Sequence, residues 1–217
     1  MKSLCRMLAP LLLIEALPLY AAETPTEPPF LLQFTHRATE AARIGELSKA
    51  NLKADEREVR IWFGFGIMRI DRMLRLRISS SGTVHGEVLV HYSNDLSDMT
   101  QSDASEFHQD VRSSCTNFRE GSEANVCTAL YRREPNWRSI YKKLVALGIF
   151  DLPDESTLPK PEYEINDGAA IVVEVRHGSN YRAYEYSNPV FRNQPEAVAA
   201  SKIMEVVANV IGSARGR

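Results

Sequence analysis

The stretch from Ala170 to Tyr186 constrains this chain more than any other. Two runs rich in β-branched and aromatic residues flank His177-Gly178-Ser179-Asn180, and Gly178-Ser179 suits a two-residue type I′ or II′ turn. With the turn placed there, His177 faces Asn180. Counting outward pairs Val175 with Arg182, Val173 with Tyr184 and Ile171 with Tyr186. The other face pairs Arg176 with Tyr181, Glu174 with Ala183 and Val172 with Glu185. One face is mostly apolar and the other mostly polar, a division that a one-residue slip would scramble. Turn and register therefore support each other.

Two amphipathic helices bracket the hairpin. The first, Asn136 to Leu147, puts Trp137, Ile140, Tyr141, Leu144 and Leu147 on one side, with Gly148 as a left-handed C-terminal cap and Ile149 placed for its hydrophobic contact. The second opens at Asn193, read as the N-cap, with Pro195 in the first turn and Glu196 three residues on. It would bury Ala199, Ile203, Val206, Val207 and Val210 and end near Gly212. Neither helix could keep its apolar side dry alone, and laying both on the apolar side of the sheet buries all three surfaces. The expected class is α+β: an antiparallel sheet of about four to six strands with two main helices packed on one face.

Upstream, Val59 to Phe65, Met73 to Ile78 and Val84 to Tyr92 alternate as strands, with a turn at Ser79 to Gly82. Ala38 to Leu52 allows a helix that Gly45 weakens. Ser93 to Ser122 is polar with little periodicity and reads as part of a surface excursion, about 93–130. Cys115 and Cys127 lie within it. In an oxidising compartment they are expected to pair, because no Cys-x-x-Cys or nearby His pair completes a metal site.

Residues 1–22 read as a secretory signal, with Lys2 and Arg6 ahead of an apolar run and Ala21-Ala22 before Glu23. Residues 23–35 then form a tether, beginning with the stiff Glu23 to Pro29, and 36–217 a single domain. Losing Lys2, Arg6 and Glu15 with the signal moves the formal charge from −2 to −3. Near-neutrality argues against nucleic acid as the principal partner, and no later stretch is apolar for long enough to span a bilayer. These features point to a periplasmic or secreted protein.

Asp167-Gly168-Ala169, Val173-Glu174-Val175, Gly178, Tyr181-Arg182, Tyr186 and Asn188-Pro189 form a spaced pattern, with Trp137 and Leu147 to Pro153 upstream. The pattern resembles a group of uncharacterised bacterial exported (periplasmic) proteins over residues 130–212, and more faintly over Val59 to Tyr92. The resemblance implies a bacterial envelope location and brings no catalytic residue with it.

The residues offer little chemistry by motif. Asp167-Gly168 reads as a turn launching the next strand. Glu174 and Glu185 lie diagonally in the manner of an acid–base pair, yet a solvated strand face beside Arg176 accounts for them more simply. His36, His85, His91, His108 and His177 lack ligand spacing, no Gly-x-Ser-x-Gly elbow occurs, and Gly64-Phe65-Gly66 lacks the Lys-Ser or Lys-Thr of a phosphate loop. We therefore expect no metal, no cofactor and no motif-defined catalytic residue.

The group that most invites a ligand is basic and aromatic. Arg69, Arg75 and Arg77 share one parity, and Arg176, Tyr181 and Arg182 lie on the other hairpin. Alternate strand residues stand about 7 Å apart, close enough for two guanidinium groups to address one anion. The simpler reading is a hydrated outer sheet face kept from edge pairing by its charge. The leading functional reading is a non-enzymatic envelope protein that binds a partner protein or envelope ligand through this face or the 93–130 excursion. The alternatives are a hydrolase-type enzyme with scattered residues and a small-molecule carrier with a pocket between helices and sheet.

Overall fold

The computed structural model describes residues 28–65, 70–93, 100–121, 124–160 and 168–214. Residues 1–22, read above as a secretory signal, and Arg69 and Asp167 lie outside them. Among the described residues seven strands form one antiparallel sheet: β1 (Arg57–Phe65), β2 (Ile70–Ile78), β3 (Val84–Ser93), β4 (Cys115–Glu120), β5 (Ala124–Ala129), β6 (Ala170–His177) and β7 (Asn180–Ser187). Their spatial order is β4-β5-β3-β2-β1-β6-β7. Four α-helices accompany them, α1 (Thr35–Ala42), α2 (Gln101–Ser114), α3 (Trp137–Ala146) and α4 (Pro195–Gly212). The class is α+β, with more strands and helices than the sequence suggested.

The hairpin register is the one that the turn dictates. His177 pairs with Asn180, Val175 with Arg182, Val173 with Tyr184 and Ile171 with Tyr186. One face of the sheet gathers Val59, Ile61, Leu74, Leu76, Val88, Ile171, Val173, Tyr184 and Tyr186, all buried, beneath Leu144 of α3 and Ile203, Val207 and Val210 of α4. Each such aliphatic side chain contributes roughly 1.5–3 kcal/mol on burial. Helix α3 stops where glycine takes over: Gly148 (φ +78°) gives its N–H to Val145, and Ile149 gives its own to Leu144 at 3.2 Å, the paired bonds of a Schellman cap.

The other face is covered too, which the sequence reading did not foresee. Trp62, Met73, Leu89, Val126 and Val172 form a second buried row beneath Ala38 and Ala42 of α1, with Leu31, Leu32 and Ile44 at its margin. The sequence conceals this cover because the row lies one pleat along from charged residues of the same parity. Phe30–Phe34, assigned above to the tether, form a 3-10 turn that leads into α1. The helix allowed over Ala38 to Leu52 starts earlier and is broken, since Arg43 (φ 54°) and Gly45 (φ +67°) both take left-handed backbone before a 3-10 turn at Leu47–Lys49.

Two further expectations change. The 93–130 excursion holds α2 and the β4–β5 hairpin, which extends the sheet to its far edge. Helix α2 escaped notice because its buried side is a thin stripe, fully buried at Val111 and half-buried at Ala104 and Phe107. Helix α4 is capped at Gln194 with no side-chain hydrogen bond, one residue past Asn193, so Pro195 occupies its first turn without the reciprocal cap. No helix among the described residues is long and apolar enough to cross a membrane.

Candidate functional site

Strand register lines up the polar residues of the second face in cross-strand rows. One row runs Glu87, Arg75, Arg60, Glu174, and the next runs His85, Arg77, Glu58, Arg176, Tyr181. Arg75 grips Glu58 with Nε on Oε1 at 2.8 Å and NH2 on Oε2 at 3.1 Å, and reaches Glu87 through NH1 at 3.1 Å. Arg60, buried, gives Nε to Glu58 at 2.8 Å and NH1 to the Gly45 carbonyl at 2.8 Å. Burial by itself would raise the pKa of Glu58, but Arg75 and Arg60 outweigh it and hold the carboxyl below its usual range.

The sequence candidates are thereby placed. Arg75 belongs to this ion-pair network. Arg176 donates to the Gly178, Leu47 and Ser48 carbonyls and so fastens the 3-10 turn over the sheet. Tyr181 donates to Glu174 Oε1 at 3.1 Å, and Trp62 Nε1 donates to Oε2 at 2.8 Å. Burial and the neighbouring Glu174 push the Tyr181 phenol far up. Arg77 is exposed and stands apart. Arg182 lies on the opposite face, where it binds the Phe150 and Leu152 carbonyls. The five do not converge on one open surface, and the face that holds four of them is largely roofed by residues 28–50 rather than hydrated.

Strand β7 holds the segment Ile149 to Glu155 along its outer edge, and of the residues in the spaced signature Tyr186 and the stretch up to Pro153 take part. Tyr184 donates to the Ile149 carbonyl at 2.9 Å, and Tyr186 to that of Pro153 at 2.9 Å. The outward N–H groups of Glu185 and Ser187 are received by Asp154 Oδ2 at 2.9 Å and Glu155 Oε2 at 2.8 Å. An exposed strand edge would template pairing with other chains, and these carboxylates close it. Glu185 itself accepts the Leu31 N–H at 2.7 Å, while burial raises its pKa despite that bond. Gly168 fits against Asn188, whose amide oxygen would collide with any β-carbon there.

A cleft of about 430 Å³ opens between α2 and the β4–β5 hairpin, a size that suits a ligand or a short peptide segment. Tyr92, His108, Arg112, Phe118, Arg119, Glu120 and Asn125 line it. Helix α2 passes into β4 with no intervening residue, and the Cys115–Cys127 disulfide fastens that junction to β5. A bulge in β4 between Thr116 and Arg119 leaves Phe118 44 % exposed. Tyr92, Phe107 and His108 meet edge to face at 5.8–6.5 Å between ring centroids. Burial raises the Tyr92 phenol, and nearby Arg112 and Asn125 partly offset it. Arg112 and Arg119 have no ion pair with any described residue, although Arg119 donates to the Ala42 carbonyl.

Comparison with models of known protein families, with characterised proteins and with solved structures yields no match. The reading of the cleft therefore rests on its own chemistry. Among the described residues no three His, Cys, Asp or Glu side chains are placed to hold a metal ion. His91 Nδ1 lies 3.4 Å from Asp71, whereas His85, His108 and His177 are exposed. Sequence reasoning missed Arg112, Phe118 and Arg119, yet one signal was available. Thr100 and Asp103 form an N-terminal cap, with Asp103 N on Thr100 Oγ1 at 3.2 Å and Thr100 Oγ1 on Asp103 Oδ2 at 2.7 Å.

Proposed function

We propose that this chain is an exported, non-enzymatic envelope protein that receives an acidic, partly apolar segment of a partner protein in the cleft between α2 and the β4–β5 hairpin. The observation that carries the reading is the placing of two guanidinium groups that pair with no carboxylate among the described residues, Arg112 and Arg119, beside the exposed ring of Phe118. Arginine and aromatic residues are the side chains over-represented at the centres of binding interfaces. Of the two acids weighed above for acid–base chemistry, Glu174 accepts from Trp62 and Tyr181 on its two oxygens and Glu185 accepts the Leu31 N–H, which favours binding over catalysis. Export is supported by the signal-like first 22 residues and by the disulfide.

A photo-crosslinking amino acid placed at Phe118 in producing cells tests the reading. The expected result is a discrete adduct from position 118, none from the exposed Val145 of α3, and loss of the adduct in an Arg112→Glu, Arg119→Glu variant. Equal adducts at both positions, or none at 118, would reject it. Export is tested separately by mass spectrometry, where an intact Met1 terminus with Cys115 and Cys127 both reduced would count against it.

A further inference from the structure

We infer that a second binding site, for a phosphate-type oxyanion, lies along the side of α3, between the helix and the β2–β3 turn. A hollow of about 460 Å³ opens there, lined by Arg57, Arg138 and Lys142, with Asp55 as its one acid and Ser79 and Ser80 offering hydroxyls. Arg138 and Lys142 are one helical turn apart on α3 and so share a side. Arg57 comes from the first position of β1.

The decisive feature is the state of Arg57. Its side chain is half-buried and held in place: NH1 donates to Tyr141 Oη at 3.0 Å, and the guanidinium lies over the Phe150 ring at 5.7 Å from the centroid. Yet no carboxylate of a described residue pairs with it. Arg60, Arg75 and Arg192 each meet a glutamate, and Arg176 and Arg182 each saturate backbone carbonyls. Arg57 keeps most of its five donors unassigned while its position is already fixed. A preorganised guanidinium of this kind binds planar or tetrahedral oxyanions without the entropy cost of ordering a flexible cation.

Three cations against one carboxylate leave the lining with a formal charge of +2. That balance matches a phosphate monoester or a diphosphate better than a single carboxylate. The hollow is larger than a phosphate group, so the phosphate would enter attached to a larger molecule, either a soluble phosphorylated compound or the headgroup of a lipid.

The test uses the whole chain with inorganic pyrophosphate in titration calorimetry at low salt, and in parallel with phosphatidylcholine vesicles that contain or lack phosphatidic acid. Binding of pyrophosphate identifies a soluble source, and binding confined to the phosphatidic acid vesicles identifies a lipid source. Either supports the site if affinity falls about tenfold or more in Arg57→Gln and in Lys142→Gln. Lys142 is exposed, so its variant tests the site even where Arg57→Gln disturbs packing. The Arg112→Glu, Arg119→Glu variant should bind as the parent does. Failure to bind either probe, unchanged binding by Lys142→Gln, or loss in the Arg112→Glu, Arg119→Glu variant would overturn the inference.

Discussion

Trp137 lies flat against the backbone of Gly86, so close that a β-carbon at position 86 would come within 2.2 Å of the indole Cδ2. Helix α3 reaches the sheet at this point, and the absence of a side chain on β3 sets how near it can come. Replacing Gly86 with alanine should therefore cost about 3 kcal/mol, at the upper end for overpacking. A thermal melt would show the loss, and Trp137 fluorescence would shift as the ring is displaced. An unchanged melting temperature would mean that the helix can move aside.

The ion-pair network predicts a particular acid response. Burial alone would push Glu58 up, but Arg75 and Arg60 hold its folded-state pKa below the unfolded value of about 4.3. Its contribution is thus fully present above that value and is lost as pH falls through the lower, folded one. Glu155 and Glu185, raised by burial, act in the opposite sense: what they add is present below their unfolded pKa and is lost as pH rises through the folded one. Glu58→Gln should lower stability at pH 7 by about 3 kcal/mol, by leaving the buried Arg60 without a carboxylate and Arg75 with Glu87 alone. It should also flatten the decline between neutral pH and pH 3 in urea unfolding. A variant with the parent's full acid slope would contradict this.

The closed edge of β7 gives a local prediction. Asp154→Ala removes the acceptor for the Glu185 N–H and the cap on Ser156. The expected loss is about 1–3 kcal/mol, the cost of an orphaned buried donor. Amide exchange at Glu185 should quicken while exchange at Leu74, in the central strand β2, stays slow at mild denaturant. Equal acceleration at both would place the effect in global unfolding.

Removing the disulfide tests how the cleft is held. Cys115→Ser with Cys127→Ser opens a short loop and should cost about 3 kcal/mol in the chain-entropy picture. Because the bond fastens the junction of α2 with β4, crosslinking from Phe118 should weaken in the folded double variant. Undiminished crosslinking would show that the sheet alone shapes the cleft.

Much of this architecture was written in local pattern. The β6–β7 register followed from one turn and two alternating runs, and the end of α3 from Gly148 and Ile149. What sequence could not reveal was pairing between distant strands. Glu58, Arg75 and Glu87 sit on three strands, and each taken singly resembles a solvated charge until register brings them together. The sheet's second cover was hidden for the same reason, since Trp62 and Met73 are scattered among charged residues. Arg182 was grouped with Arg176 and Tyr181 by proximity in the chain, although the parity already worked out for the hairpin sends it to the other side. Helix α2 carried a cap signal at Thr100 and Asp103, which its polar composition outweighed.

The cover over the second face has a consequence for the order of assembly. Leu31 is tied to Glu185 across 154 residues, and Ser48 to Arg176 across 128. A ribosome releases the covering segment long before its anchors, so Trp62 and Met73 must wait, greasy and uncovered, for the β6–β7 hairpin to emerge. Contacts of such long sequence separation slow folding. A chain of this design closes its second face only once β6 and β7 have been made, and whatever keeps it from clumping must act during that interval.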